Sequence, residues 1–118
     1  MTVAVIIHSG NSSVLDKSII REMFLGKKKS FSNGRTAMTL SPETSDPVMT
    51  EFNEKVIERT NSQVKAYWSK VIFTGKGTPP QELGSASEMI SAVSSNPDAI
   101  GYVDAAAVTD AVKVVLTL

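Results

Sequence analysis

Residues 3–8 read VAVIIH, a nearly continuous run of apolar and mostly β-branched side chains. Such a run predicts a strand that is buried on both faces, because a strand with one wet face would alternate apolar and polar residues. Turn-forming residues follow directly in Ser9-Gly10-Asn11-Ser12-Ser13. Two further apolar runs, Ile100 to Val103 and Val112 to Leu118, predict strands near the other end of the chain.

Four helical segments lie between these runs, and each has a polar residue suited to cap its first turn. The predicted caps are Asp16, Asp46, Asn61 and Ser85. Pro47 stands at the first helical position after its cap, and Glu88 completes a capping box with the last. Helices between terminal strands, with one more short strand over Thr36–Leu40, predict an α/β fold in which helices flank a mixed sheet.

The composition indicates a globular chain. Its 118 residues predict one domain, residues 1–118, that is large enough to hold its own core. Twelve basic and twelve acidic residues cancel, so we expect no nucleic-acid partner. No apolar run approaches the roughly 20 residues that span a bilayer. The first residues lack the cationic start and cleavage site of a signal peptide, so they are interpreted as a strand.

Three short runs occur in order along the chain: FLGK at 24–27, YW at 67–68 followed by FTGKG at 73–77, and AIGYV at 99–103. With these runs the chain resembles the phosphate-type substrate-binding proteins of bacterial ABC transporters, and in particular a short, single-lobe group among them. The resemblance implies the fold of one lobe of a type II periplasmic binding protein. It also implies a periplasmic or otherwise extracytoplasmic location and a role in transport without enzymatic activity.

Each run also has a structural explanation that needs no ligand. Gly26 is placed to end the first helix in a left-handed conformation, and Gly101 would permit close backbone approach within a strand. Tyr67 and Trp68 are expected to anchor a core. The runs therefore indicate the fold more than the function.

The resemblance implies an oxyanion site as well, since complete family members close two lobes over a phosphate held by hydroxyls, backbone N–H groups and an arginine. A helix start suits an anion because its N–H groups are unpaired and the helix dipole is positive there. Four cations and no acid lie between Phe24 and Pro42, either as part of this site or as a solvated loop. The predicted ligand-binding residues are Ser9, Gly10, Asn11, Ser12, Ser13, Lys27, Arg35, Thr44 and Ser45.

A second hypothesis keeps the fold and omits the ligand. Asp46 would satisfy the helix N–H groups with its own carboxylate and repel phosphate, and Met49 stands where relatives often carry arginine. The chain would then be an accessory module that contacts a transporter, another envelope protein or a second copy of itself. No metal, cofactor or catalytic residue is predicted. His8, the one histidine, adjoins Ser9, and neighbouring strand residues point to opposite faces.

Overall fold

The computed structural model describes all residues from 1 to 118, and it contains five strands and four helices. The strands are β1 (Val3–His8), β2 (Met38–Pro42), β3 (Gln81–Leu83), β4 (Ala99–Asp104) and β5 (Val112–Thr117). The helices are α1 (Lys17–Phe24), α2 (Pro47–Phe52), α3 (Asn61–Phe73) and α4 (Ala86–Ser95). A π-helical turn, Asn53–Ile57, continues α2. None of the helices has both the length and the apolar character needed to cross a membrane.

The five strands form one mixed sheet in the order β3-β2-β4-β1-β5. β2 is parallel to β3 and β4, whereas β1 is antiparallel to β4 and β5. β1 therefore runs against the other four strands. At one end of the sheet those four strands begin and β1 ends, and we call this the amino end. We call the opposite end the carboxyl end. The predicted mixed sheet flanked by helices is confirmed.

Helices cover both faces of the sheet. Val3, Val5 and Ile7 of β1 join the apolar cluster that includes α1 and α2, while Ala4 and Ile6 join the cluster that includes α4. Residues 3–7 are at most 1% exposed, so the strand is buried on both faces as its composition predicts. On the α1 and α2 side, three aromatic rings form the centre of the core, those of Phe24, Phe52 and Tyr102.

Gly26 and Gly101, which lie in two of the three runs that carry the family resemblance, have the structural roles predicted for them. Gly26 follows α1 with a φ of 73°, a left-handed conformation that costs glycine little. A Cβ on Gly101 would overlap the sulfur of Met89, so glycine lets α4 approach β4 closely. Trp68 is buried, and the hydroxyl of Tyr67 donates to the Leu25 carbonyl at 2.6 Å. These aromatic residues tie α3 to the end of α1.

Two helix starts differ from the sequence predictions. The cap of α3 is Thr60, whose side chain and that of Gln63 form a reciprocal capping box. Asn61 instead bonds Asn53 and Thr50 through its side chain, because it lies against the turn that follows α2. At α4 the cap is Ser85 as predicted, but Glu88 accepts from the Gly84 N–H and leaves the box incomplete.

Two strands also differ. β2 begins at Met38 and continues to Pro42, two residues later at each end than predicted. β3 was not predicted at all. It has three residues, two of them exposed, and it exists through its pairing with Leu40, Ser41 and Pro42 of β2.

Candidate functional site

The predicted ligand-binding residues fall into two groups at opposite ends of the sheet. Ser9–Ser13 follow β1 at the amino end, whereas Thr44 and Ser45 follow β2 at the carboxyl end. Strands of five or six residues separate the ends by about 17 Å, too far for both groups to hold one small anion. The structure therefore does not bring the two groups together, because β1 runs antiparallel to β4 while β2 runs parallel to it.

The start of α2 is closed by the chain's own acids. Asp46 accepts a hydrogen bond from the Val48 N–H at 2.9 Å through its carboxylate and one from the Met49 N–H at 3.0 Å through its carbonyl. Thr44 donates its N–H and its hydroxyl to the carboxylate of Glu82, each at 3.1 Å. An anion at this turn would have to displace two carboxylates from donors that they already occupy.

The carboxyl end of the sheet is acidic. A mostly apolar cavity of about 240 Å³ there has Asp46, Asp104 and Tyr102 among its lining residues. Burial raises the pKa of the Tyr102 hydroxyl far above its ordinary value, and the charges of Asp46 and Glu82 raise it further, so the phenol stays neutral. The negative charges of Asp46, Glu82 and Asp104 disfavour an anion at this end.

No three His, Asp or Glu side chains of the chain lie close enough together to hold a metal ion.

The loop after β1 bonds some of its polar groups internally, but the buried Asn11 Nδ2 and Ser13 Oγ have no hydrogen-bond partner. The Gly10 N–H donates to His8 Nδ1 at 3.0 Å, and the Ser13 N–H donates to Asn11 Oδ1 at 2.9 Å. Asn11 and Ser13 are buried, which leaves Ser9 and Ser12 as the exposed hydroxyls. Lys113 donates to the Asn11 carbonyl at 3.3 Å. Sequence reasoning missed Lys113, since only the pairing of β5 with β1 brings it to this loop.

Arg35 also lies at the amino end, but its charge has a partner. Its guanidinium donates to both carboxylate oxygens of Asp98, the residue that precedes β4. The hydrogen bond and the charge of Asp98 raise the pKa of Arg35, and Arg35 lowers the pKa of Asp98. Arg35 is therefore not a free cation for the predicted site. Lys27, in contrast, is exposed and forms no salt bridge.

A cavity that sequence reasoning did not select lies beside Lys27. It has a volume of about 240 Å³, and we call it the threonine groove. The residues that define it are Lys28, Lys29, Thr36, Thr39 and Thr78, with Gly26 and Gly77. The Lys29 carbonyl accepts from the Ala37 N–H at 2.8 Å, which fixes the basic segment beside the start of β2. A spacing-based search cannot find this cavity because its walls lie some 40 to 50 residues apart in sequence.

Several solved structures resemble this architecture. No protein-family model and no curated protein matches the sequence. A phosphate ABC transporter substrate-binding protein with bound phosphate from Clostridium perfringens, described as putative, aligns with a TM-score of 0.73 at 19% identity. The alignment covers 96% of this chain and 43% of that one. The fold is that of a single lobe of a periplasmic binding protein. The single-lobe fold predicted from the three runs is therefore confirmed.

Two further structures agree with this lobe. An ABC-type phosphate transport receptor from Vibrio cholerae aligns with a TM-score of 0.65 at 15% identity, over 96% of the lobe and 44% of the receptor. A possible phosphate binding protein from Planctomyces limnophilus aligns with a TM-score of 0.62 at 15% identity, over 88% of the lobe and 36% of that protein. The lobe thus spans less than half the length of each protein that it matches.

Two of the resemblance runs meet at the threonine groove of this lobe. The six-membered ring of Trp68 lies close to both Gly26 and Gly77. Because neither glycine has a side chain, the buried indole can hold the segment after α1 and the segment after α3 close together. The groove therefore has walls that are fixed by the core.

Proposed function

We propose that this chain is a non-enzymatic, phosphate-transport-type substrate-binding module that binds phosphate or another oxyanion weakly. The observation that carries the proposal is the alignment of 96% of the chain with a protein solved with bound phosphate. Residues 1–118 would act as one domain. A single lobe offers half of a cleft and leaves a bound anion open to water, so we expect millimolar affinity unless a second copy completes the cleft.

The charge distribution favours the amino end of the sheet for the anion. At the carboxyl end, Asp46 and Glu82 occupy the donors of the turn before α2. One negative charge about 4 Å from a monoanion costs roughly 4 kcal/mol at an effective dielectric near 20. At the amino end, Lys27, Lys28 and Lys29 form no salt bridge. Of the predicted residues, Lys27 and the exposed Ser9 and Ser12 are thus better placed than Thr44 and Ser45.

Calorimetric titration of the purified chain tests this function. Phosphate and sulfate are each added to 10 mM, with sodium chloride at matched ionic strength as the control for general salt effects. We expect saturable heat with phosphate and none with chloride. An absence of heat and of any thermal stabilisation at 10 mM phosphate would contradict the proposal, because a ligand that binds the folded state must raise the unfolding temperature.

A second function is favoured by the exposed end of α3. Phe73 is 93% exposed and Ile72 is 53% exposed, while Trp68 is the buried residue of this helix. Adjacent exposed apolar side chains of this kind mark interaction surfaces. The chain would then be an accessory module of the same fold, extracytoplasmic like the family it resembles, that contacts a transporter component, another envelope protein or a second copy.

Sedimentation velocity over a range of concentrations tests whether the chain binds a second copy of itself. We expect the wild-type chain to associate reversibly and the Phe73→Ser variant to remain monomeric. Pull-down from a native envelope fraction, with Phe73→Ser as the matched control, tests the form with a different partner. A chain that stays monomeric, recovers no partner that depends on Phe73 and binds phosphate would exclude this second function.

A further inference from the structure

We propose that the threonine groove is the oxyanion site, and that its ligand is a tetrahedral anion such as inorganic phosphate. The inference rests on the proposed function. It replaces Ser9, Ser12, Lys27, Thr44 and Ser45, none of which lines the groove, with Lys28, Lys29, Thr36 and Thr78. A cavity of about 240 Å³ is smaller than the roughly 300–1,000 Å³ of sites for drug-sized ligands. It suits a small anion with its water.

The charges that line the groove have one sign. Lys28 and Lys29 are both cationic, neither forms a salt bridge, and no acidic residue lines the cavity. Arg35, in contrast, is neutralised by Asp98. Lysine binds phosphate as a point charge without strict geometry, and two such charges match a dianion.

The hydroxyls that line the groove have no partner within the chain. Thr36, Thr39 and Thr78 form no side-chain hydrogen bond, whereas Thr44, Thr60 and other threonines elsewhere do. A hydroxyl both donates and accepts, so it can bond an unprotonated or a protonated phosphate oxygen. These hydroxyls are therefore available to a ligand in a way that Thr44 is not.

Two prolines keep the groove open. The pairing of β2 with β3 begins at Leu40 and Gln81, and the residues before Gln81 are Pro79 and Pro80, which have no N–H to donate. The first residues of β2 consequently have no β3 partner. An adjoining cavity of about 440 Å³ lies there, and its lining residues include Thr36, Thr39 and Thr78. Asp98 also lines this adjoining cavity, and its carboxylate is paired with Arg35.

The single tryptophan provides a local probe of this site. Trp68 lies directly behind Gly26 and Gly77, so phosphate in the groove should change its fluorescence. The experiment titrates phosphate at constant ionic strength against the wild-type chain and two charge-matched variants, Lys28→Gln/Lys29→Gln and Lys65→Gln/Lys70→Gln. We expect the groove variant to bind about tenfold more weakly. The control pair on α3 should bind as the wild type does.

A second pair of variants tests the hydroxyls. Thr36→Val/Thr78→Val removes two donors from the groove and should weaken phosphate binding several-fold. Thr44→Val/Ser45→Ala removes the donors predicted at the start of α2 and should leave the affinity unchanged. Thermal unfolding of every variant checks that each remains folded, which we expect because all the altered side chains are exposed.

The outcomes separate this inference from the proposed function. Binding that survives in the groove variants and is lost in Thr44→Val/Ser45→Ala would overturn the groove and leave the proposed function intact. Equal weakening by both lysine pairs would also overturn it, since the effect would then be one of net charge. No phosphate binding by the wild-type chain, in fluorescence and calorimetry alike, would overturn both.

Discussion

Glu82 holds Thr44 through two hydrogen bonds, because its carboxylate accepts from both the backbone N–H and the hydroxyl of that residue at 3.1 Å. The contact joins β3 to the turn before α2, across 38 positions of sequence. Together with the Asp46 cap, this contact means that donors at the start of α2 are already hydrogen-bonded to acidic side chains of the same chain. A helix start is the usual kind of anion site, but the start of α2 already has hydrogen-bond partners within the chain.

The Asp46 cap leads to a prediction about stability. Asp46→Ala should lower the free energy of unfolding by about 1 kcal/mol, because the Val48 N–H loses its acceptor. Asp46→Ser should change it by less than about 0.5 kcal/mol, since serine caps a helix about as well as aspartate. Urea unfolding measures both. Equal losses in the two variants would show that the side chain does not act as a cap.

Gly26 is predicted to be more sensitive to substitution than Gly75. Both follow a helix with positive φ, 73° and 70°, so alanine at either position should cost about 1 kcal/mol in backbone strain. A Cβ on Gly26 would lie 3.0 Å from the Trp68 ring, whereas one on Gly75 meets nothing within 4 Å. We expect Gly26→Ala to lose about 1 kcal/mol more than Gly75→Ala in urea unfolding. Equal losses would mean that Trp68 does not constrain Gly26.

Gly101 is predicted to tolerate no side chain. Gly101→Ala would overlap the Met89 sulfur and should destabilise the lobe by about 1–3 kcal/mol. In Gly101→Ala/Met89→Ala the overlap is relieved, so the double variant should be more stable than the sum of the two single losses implies, by about 1 kcal/mol. Strict additivity in a double-mutant cycle would contradict direct contact as the cause.

The Arg35–Asp98 pair predicts a pH dependence. Because Arg35 lowers the pKa of Asp98 below its ordinary 3.8, the pair stabilises the fold fully above that value. The stabilisation is lost as the pH falls through the lowered pKa. The difference in unfolding free energy between the wild type and Arg35→Gln should therefore be constant above about pH 5 and shrink below it. Urea unfolding between pH 7 and pH 2 measures it, and a difference that grew on acidification would refute the pairing.

Local patterns in the sequence predicted most of the elements. Some elements depend only on residues within about four positions of one another, so the sequence alone is enough to predict them. These are the strand Val3–His8 and the caps Asp16, Asp46 and Ser85. β3 is different. Its three residues, Gln81 to Leu83, have no distinctive pattern, and their strand conformation comes from β2.

The relative positions of the predicted site residues were decided by the tertiary structure alone. The sequence shows that Ser9–Ser13 follow one strand and that Thr44 follows another, but no local pattern records the direction in which each strand enters the sheet. The antiparallel pairing of β1 with β4 places these residues at opposite ends. In the same way, Asp98 neutralises Arg35 across 63 positions, while Trp68 joins Gly26 to Gly77 behind the groove. Such contacts arise from packing between distant segments, which periodicity and capping rules do not encode.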